Sequence, residues 1–91
     1  MPEVLFTIQL PDGVTKSCYS PSTAVRNYFV SGDEMSVAEF LTRSRSALHE
    51  ASERVRAKFG FSCSSASAQL AEIEQWGAAY PSDGIVRIIT I

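Results

Sequence analysis

The fold is decided by residues 35–60, which read MSVAEFLTRSRSALHEASERVRAKFG. Ser36, followed three residues later by Glu39, forms a capping-box pattern. In this motif the serine hydroxyl and the glutamate carboxylate each accept a hydrogen bond from a free backbone N–H at a helix start. Met35 and Phe40 occupy the two positions of a hydrophobic staple around the same start. A helix is therefore predicted to begin directly after Ser36.

Downstream of this start, apolar residues recur at helical spacing until Gly60, a typical C-terminal stop. The spacing predicts one long amphipathic helix from residue 37 to about residue 58. Its outer face is charged and carries two (i, i+4) pairs in the favourable order, Glu39 with Arg43 and Glu50 with Arg54. We interpret these charges mainly as a solvated helix face.

The residues before this helix predict a β-hairpin. Residues 3–10 alternate between apolar and polar side chains, which is typical of a half-buried strand. The tripeptide Pro-Asp-Gly at 11–13 favours a turn, and residues 14–19 are predicted as the returning strand. The apolar face of the first strand comprises Val4, Phe6, Ile8 and Leu10.

The remaining segments complete the predicted order. Residues 21–29 are predicted as a short helix that begins with proline, and residues 30–34 as a loop. After a serine-rich link at 61–65, an alanine-rich helix is predicted over 66–79 and a β-branched strand over 85–91. The order is β-β-α-α-α-β, which indicates an α+β fold with helices on one face of a small three-stranded sheet.

Composition limits the size and class of the protein. With 91 residues, 45% hydrophobic and 20% charged, the chain is expected to form a single domain over 1–91. This size excludes a multidomain enzyme. The net charge of −2 gives no general attraction to nucleic acids or anionic membranes. Without an apolar N-terminal stretch or a membrane-length apolar run, a cytoplasmic location is expected.

Motifs for cofactors and metals are absent from the sequence. No phosphate loop, dinucleotide-binding glycine motif or paired Cys-x-x-Cys is present, so no cofactor and no metal are expected. The single histidine, His49, falls on the polar face of the long helix. We interpret it as a solvated or capping residue, with a general base as the alternative.

Cys18 and Cys63 are predicted to be free thiols, since the expected cytoplasm is reducing. Cys18 lies in a predicted strand, where burial is expected. We interpret Cys63 as a protected, structural thiol. The alternative is a reactive thiol, because Cys63 precedes a predicted helix whose dipole would lower the pKa of its thiol. Ser64 and Ser65 at the same helix start could bind an anion or simply cap the helix.

Two segments resemble a known family. The pentapeptide Cys-Tyr-Ser-Pro-Ser at 18–22 and the run SERVRAKFGFSCSSA at 52–66, with Met-Pro-Glu at 1–3 and the turn at 11–13, are similar to small nitrogen-starvation response proteins encoded in bacterial nitrilase gene clusters. The resemblance implies a bacterial cytoplasmic protein made when nitrogen is scarce. It also implies gene neighbours for a nitrilase, a radical-SAM protein, an acetyltransferase and a flavoprotein.

The resemblance supplies no catalytic residues. Candidate ligand-binding residues follow only from their positions in the matching segments and at the helix start: Cys18, Tyr19, Arg54, Cys63, Ser64 and Ser65. The sequence favours a noncatalytic accessory protein that binds a partner protein or a second copy of itself. The alternative is a small ligand-binding protein or enzyme that uses Cys63 and the serine-rich helix start.

The last strand predicts self-association. Ile85, Ile89 and Ile91 alternate with Val86 and Ile88, so both faces of this strand carry branched aliphatic side chains. We expect Leu5 to share a face with Val86 and Ile88. Because the helices cover only one face of the sheet, the other face or an edge should remain apolar, and a twofold dimer would cover it.

Overall fold

The computed structural model describes residues 3–60 and 64–91. The α+β class is confirmed, with four antiparallel strands in the order β2-β1-β4-β3 and two α-helices. The elements in chain order are β1 (Val4–Gln9), β2 (Thr15–Ser20), a 3₁₀ helix (Thr23–Asn27), β3 (Glu34–Ser36), α1 (Val37–Phe59), α2 (Ser64–Ala78) and β4 (Ile85–Thr90).

The N-terminal hairpin forms as its sequence predicts. Alternate residues of β1 and the residue after it are buried, namely Val4, Phe6, Ile8 and Leu10. The turn is held by Asp12, whose Oδ1 accepts a hydrogen bond from the Val14 N–H at 3.1 Å. Gly13 has a φ of 92°, a conformation that favours glycine. The apolar alternation and the turn residues therefore fix this hairpin locally.

The sequence predicts three strands, whereas the described residues form a sheet of four. Residues 34–36, predicted as the end of a loop and the cap of a helix, form β3 against β4, with Glu34 opposite Arg87 and Met35 opposite Val86. A strand of three residues is too short to show alternation, so its pairing depends on contacts made by the rest of the chain. β3 passes directly into α1.

The predicted helix over 21–29 is also corrected. Within this segment only Thr23–Asn27 is helical, and it is a 3₁₀ helix, so the described residues contain two α-helices and not three. Ser22 caps it, because its Oγ accepts the Ala24 N–H at 3.0 Å. The predicted apolar residues Val25 and Phe29 are buried as expected. Five residues are too few for an independent α-helix, so packing sets the geometry.

α1 begins and ends where the sequence places it. Ser36 Oγ accepts the Glu39 N–H at 3.1 Å, and Gly60 ends the helix with a φ of 82°. Among the described residues, the Glu39 carboxylate accepts a hydrogen bond from Arg43 Nε at 2.8 Å. Only the serine half of the predicted capping box is therefore formed.

We expect Ser36→Ala to lower the free energy of unfolding by about 1 kcal/mol, because the Glu39 N–H loses its acceptor. Ser46→Ala removes a hydroxyl from an exposed position of the same helix and should be nearly neutral. Urea denaturation of the two variants measures the difference. Equal midpoints would contradict the described helix start.

The core lies between the helices and one face of the sheet. The ring of Phe29 stacks on Phe6, with centroids 5.9 Å apart, and lies 5.6 Å from the ring of Phe40. This cluster joins β1, the segment after the 3₁₀ helix, and α1. α2 approaches α1 closely at Gly77, where an added Cβ would lie 2.8 Å from Leu41 Cδ2. The two helices are thus in close contact at Gly77, whereas the opposite face of the sheet has no helix over it in the described chain.

Candidate functional site

The candidate residues from the sequence lie on different elements. Cys18 and Tyr19 are neighbours in β2 and therefore point to opposite faces of the sheet. Arg54 is an exposed residue of α1, with its Nη2 3.7 Å from Glu50 Oε2. Ser64 and Ser65 are exposed in the first turn of α2, which begins two residues earlier than predicted. Cys63 lies outside the described residues.

Cys18 is a buried free thiol, as predicted. It lies opposite Phe6 on the inner face of the sheet. Burial, with a smaller contribution from the negative charge of Glu72, raises the pKa of the Cys18 thiol to about 12. At neutral pH this sulfur is protonated and poorly nucleophilic.

We expect Cys18 to react with a thiol reagent only after denaturant is added, because the native fold buries its sulfur and keeps it protonated. Labelling rates of the Cys63→Ser variant, in buffer and in urea, isolate this residue. Its raised pKa also means that the native state holds the proton more tightly than the unfolded chain. The raised pKa of Cys18 therefore adds to the free energy of unfolding. This addition is complete below pH 9 and is lost as the pH rises toward 12.

The double variant Cys18→Ala, Cys63→Ser is the control for this alkaline effect. Its free energy of unfolding should fall less steeply above pH 9 than that of Cys63→Ser. Rapid labelling of native Cys63→Ser, or identical pH profiles for the two variants, would contradict the buried environment of Cys18.

Gln69 is a buried residue that no sequence pattern singles out. Its Oε1 accepts the backbone N–H of Tyr19 at 2.9 Å, so α2 caps part of the open edge of β2. Its Nε2 is buried and has no hydrogen-bond partner among the described residues. In the sequence, a glutamine in an alanine-rich helix looks like an ordinary exposed residue. Only the tertiary structure shows that Gln69 is buried and bonded to β2.

The uncovered face of the sheet is a first candidate binding surface. This outer face contains three exposed aliphatic residues, the pair of Glu34 with Arg87, and polar residues between them, namely Leu5, Ile85 and Ile89 with Thr7, Gln9, Thr15 and Ser17. Leu5 is 69% exposed, Ile85 50% and Ile89 38%. Arg87 Nη2 lies 3.0 Å from Glu34 Oε1. Exposed aliphatic side chains on an uncovered sheet face are typical of a surface that binds another molecule.

One part of the predicted outer face is wrong. Ile8 pairs with Ile88, and paired residues share a face, so Ile88 is in the core beside Ile8. Leu5 therefore lies on the side of Ile85 and Ile89, not on the side of Ile88. A bulge between these strands leaves Ile89 as an extra, exposed residue of β4.

A groove between the two helices is a second candidate. Arg45, Ser46 and His49 of α1 face Leu70 and Glu74 of α2 across a cavity of about 470 Å³. Arg45 Nε donates to Glu74 Oε1 at 2.9 Å. His49 is exposed on the polar face of α1, as predicted.

Neither a group of metal ligands nor a membrane-length helix is present in the described part of the chain. Within residues 3–60 and 64–91, no three His, Cys, Asp or Glu side chains are grouped so that they could hold a metal ion. No helix of those two ranges has the length and apolar character needed to cross a bilayer.

Comparison with known proteins gives one result. The family described as nitrogen starvation-induced protein NitG matches residues 5–91 of the chain. No curated protein and no solved structure matches the chain significantly.

Proposed function

Because the chain belongs to the family of nitrogen starvation-induced NitG proteins, we propose that it is a noncatalytic accessory protein of the nitrogen-starvation response that works as a homodimer. The proposal places it in the bacterial cytoplasm, encoded in a nitrilase gene cluster, as the sequence resemblance implies. The exposed aliphatic residues of the outer face are the observation that supports a binding role.

The face of the sheet is a better contact surface than either edge. At one edge, the Tyr19 N–H of β2 is already bonded to Gln69. At the other edge, β3 is only three residues long. Capped and short edge strands resist pairing with another chain. A second copy is therefore expected to pack face to face and not to extend the sheet.

The charges on the outer face suit a second copy of the same chain. Arg87 and Glu34 give this surface one cation and one anion, so two copies facing each other meet no excess of like charge. A twofold axis also allows each arginine to approach the glutamate of the other copy. Leu5, Ile85 and Ile89 would be removed from water in the same contact.

The size of the surface limits the strength of the dimer. With strands about 4.8 Å apart and six residues spanning about 20 Å, the sheet offers a flat footprint of roughly 350 Å². Two such faces bury less than about 1,200 Å² in total, the size class of weak complexes. We therefore propose a reversible dimer that forms at micromolar concentration.

Light scattering or sedimentation tests this proposal. At high micromolar concentration the measured mass should approach twice 9.9 kDa, and Leu5→Lys should return it to the monomer value. Ala71→Lys adds the same charge at an exposed position of α2 and should leave the dimer intact. A monomeric mass for the unmodified protein, or a dimer that Leu5→Lys does not weaken, would overturn the proposal.

The alternative is a small ligand-binding protein or enzyme that uses Cys63, Ser64 and Ser65. Its support is the position of these residues in the segment that resembles the family. Alkylation of Cys63 in a Cys18→Ala background distinguishes the two proposals. Under the homodimer proposal, alkylation leaves the dimer intact.

A further inference from the structure

The groove between α1 and α2 contains an ion pair that joins the two helices. Arg45 and Glu74 are 29 positions apart, whereas the other ion pairs of α1 connect residues three or four positions apart on the same helix. Both side chains are about half exposed. Their charges therefore lie at the wall of the cavity, within reach of a ligand.

This ion pair uses few of its hydrogen-bonding groups. The contact is one bond, from Arg45 Nε to Glu74 Oε1. Among the described residues, the two terminal nitrogens of the guanidinium and the second oxygen of the carboxylate make no hydrogen bond. A guanidinium can bind a carboxylate through two parallel bonds, and a carboxylate can accept several donors.

We propose that this groove binds a small zwitterion, a molecule with one carboxylate and one ammonium group, as in a free α-amino acid. The ligand carboxylate would bind the terminal nitrogens of Arg45, and its ammonium group would bind the second oxygen of Glu74. An anion alone would be repelled by Glu74, and a cation alone by Arg45. A ligand with both charges is attracted to both residues.

The rest of the groove suits the remainder of such a ligand. Leu70 gives it an apolar surface, and His49 adds hydrogen-bonding nitrogens. A smaller cavity of about 120 Å³ shares His49 and Leu70 with the first and is also lined by Ser52 and Ser67. Ser52 and Ser67 lie seven residues from Arg45 and Glu74, respectively, so the groove continues along both helices beyond the proposed charged contacts.

The volume and the openness of the groove set the expected affinity. Its larger cavity, about 470 Å³, has room for a small ligand but is open to solvent, so a bound ligand stays partly exposed. Water reaches both charged residues, which weakens their attraction for a ligand. We therefore expect dissociation constants in the millimolar range. The groove lies in the helix layer, so this site neither requires nor blocks a dimer through the outer face.

Titration of the ¹⁵N-labelled protein with glycine, L-alanine, L-glutamine and L-glutamate, followed by NMR, tests the site. Saturable shifts should be confined to the amides of Arg45, His49, Leu70, Glu74 and their neighbours. Acetate and methylammonium, which carry one charge each, should cause much smaller shifts. Equal shifts with acetate, or no saturable shifts with any amino acid, would overturn the proposal.

Two variants make the test specific. Glu74→Gln keeps the shape of the side chain but removes the charge that holds the ammonium group, and should weaken binding about tenfold. Glu72→Gln makes the same change at an exposed position two residues away and should leave binding unchanged. Equal losses in both variants would overturn the assignment of Glu74. A dimer that forms without amino-acid binding would contradict this inference alone.

Discussion

Phe29→Ala is expected to lower the free energy of unfolding by about 3–5 kcal/mol, a large part of the stability of a domain this small. Phe29 is buried and packs against the rings of both Phe6 and Phe40. Removing its ring leaves a cavity at the point where β1, α1 and the segment after the 3₁₀ helix meet. The favourable interaction with each neighbouring ring disappears as well, which adds to the destabilisation caused by the cavity.

Urea denaturation of Val30→Ala provides the matched control. Val30 follows Phe29 directly but is 61% exposed, so its truncation should change the free energy of unfolding by less than about 0.5 kcal/mol. The two variants together separate the packing of Phe29 from any general effect of altering this segment. Similar midpoints for both would contradict the central position of Phe29 in the core.

Ile88→Lys is expected to prevent folding, whereas Ile89→Lys should fold and lose the proposed dimer. Ile88 is fully buried beside Ile8, and a lysine there would place an unpaired charge in the core. Ile89 is its immediate neighbour but points to the exposed outer face. A lysine at position 88 should therefore prevent folding, whereas a lysine at position 89 should prevent only the association of two copies.

Circular dichroism and light scattering distinguish these outcomes. Ile88→Lys should give the spectrum of an unfolded chain at room temperature, and Ile89→Lys should give a native spectrum with a monomeric mass. A folded Ile88→Lys protein would show that the register of β1 and β4 is wrong. A folded, fully dimeric Ile89→Lys protein would remove Ile89 from the proposed interface.

Features that depend on neighbouring residues in the chain were predictable from the sequence. The burial pattern of β1 follows from its alternation, and the start and end of α1 follow from Ser36 and Gly60. These signals work because a capping serine or a left-handed glycine acts on backbone groups within about four residues. The family resemblance was also correct, since the NitG family matches residues 5–91.

Features that depend on distant residues were not predictable in the same way. β3 exists because Met35 pairs with Val86, a residue from the far end of the chain. The register between β1 and β4 decides whether Leu5 and Ile88 lie on the same face of the sheet. A register shift of one residue would move one of them to the other face. The groove likewise requires α1 and α2 to be packed before Arg45 meets Glu74.

The sheet order β2-β1-β4-β3 places in its centre the strand that follows every other element in the chain. During translation, β1 and β2 emerge first, and β1 keeps one unpaired edge until β4 has left the ribosome. β3 has no strand to pair with over the same interval. The sheet therefore closes only when β4 pairs with β1 and β3, and the pairing of β1 with β4 joins residues far apart in the sequence, a kind of contact that slows folding.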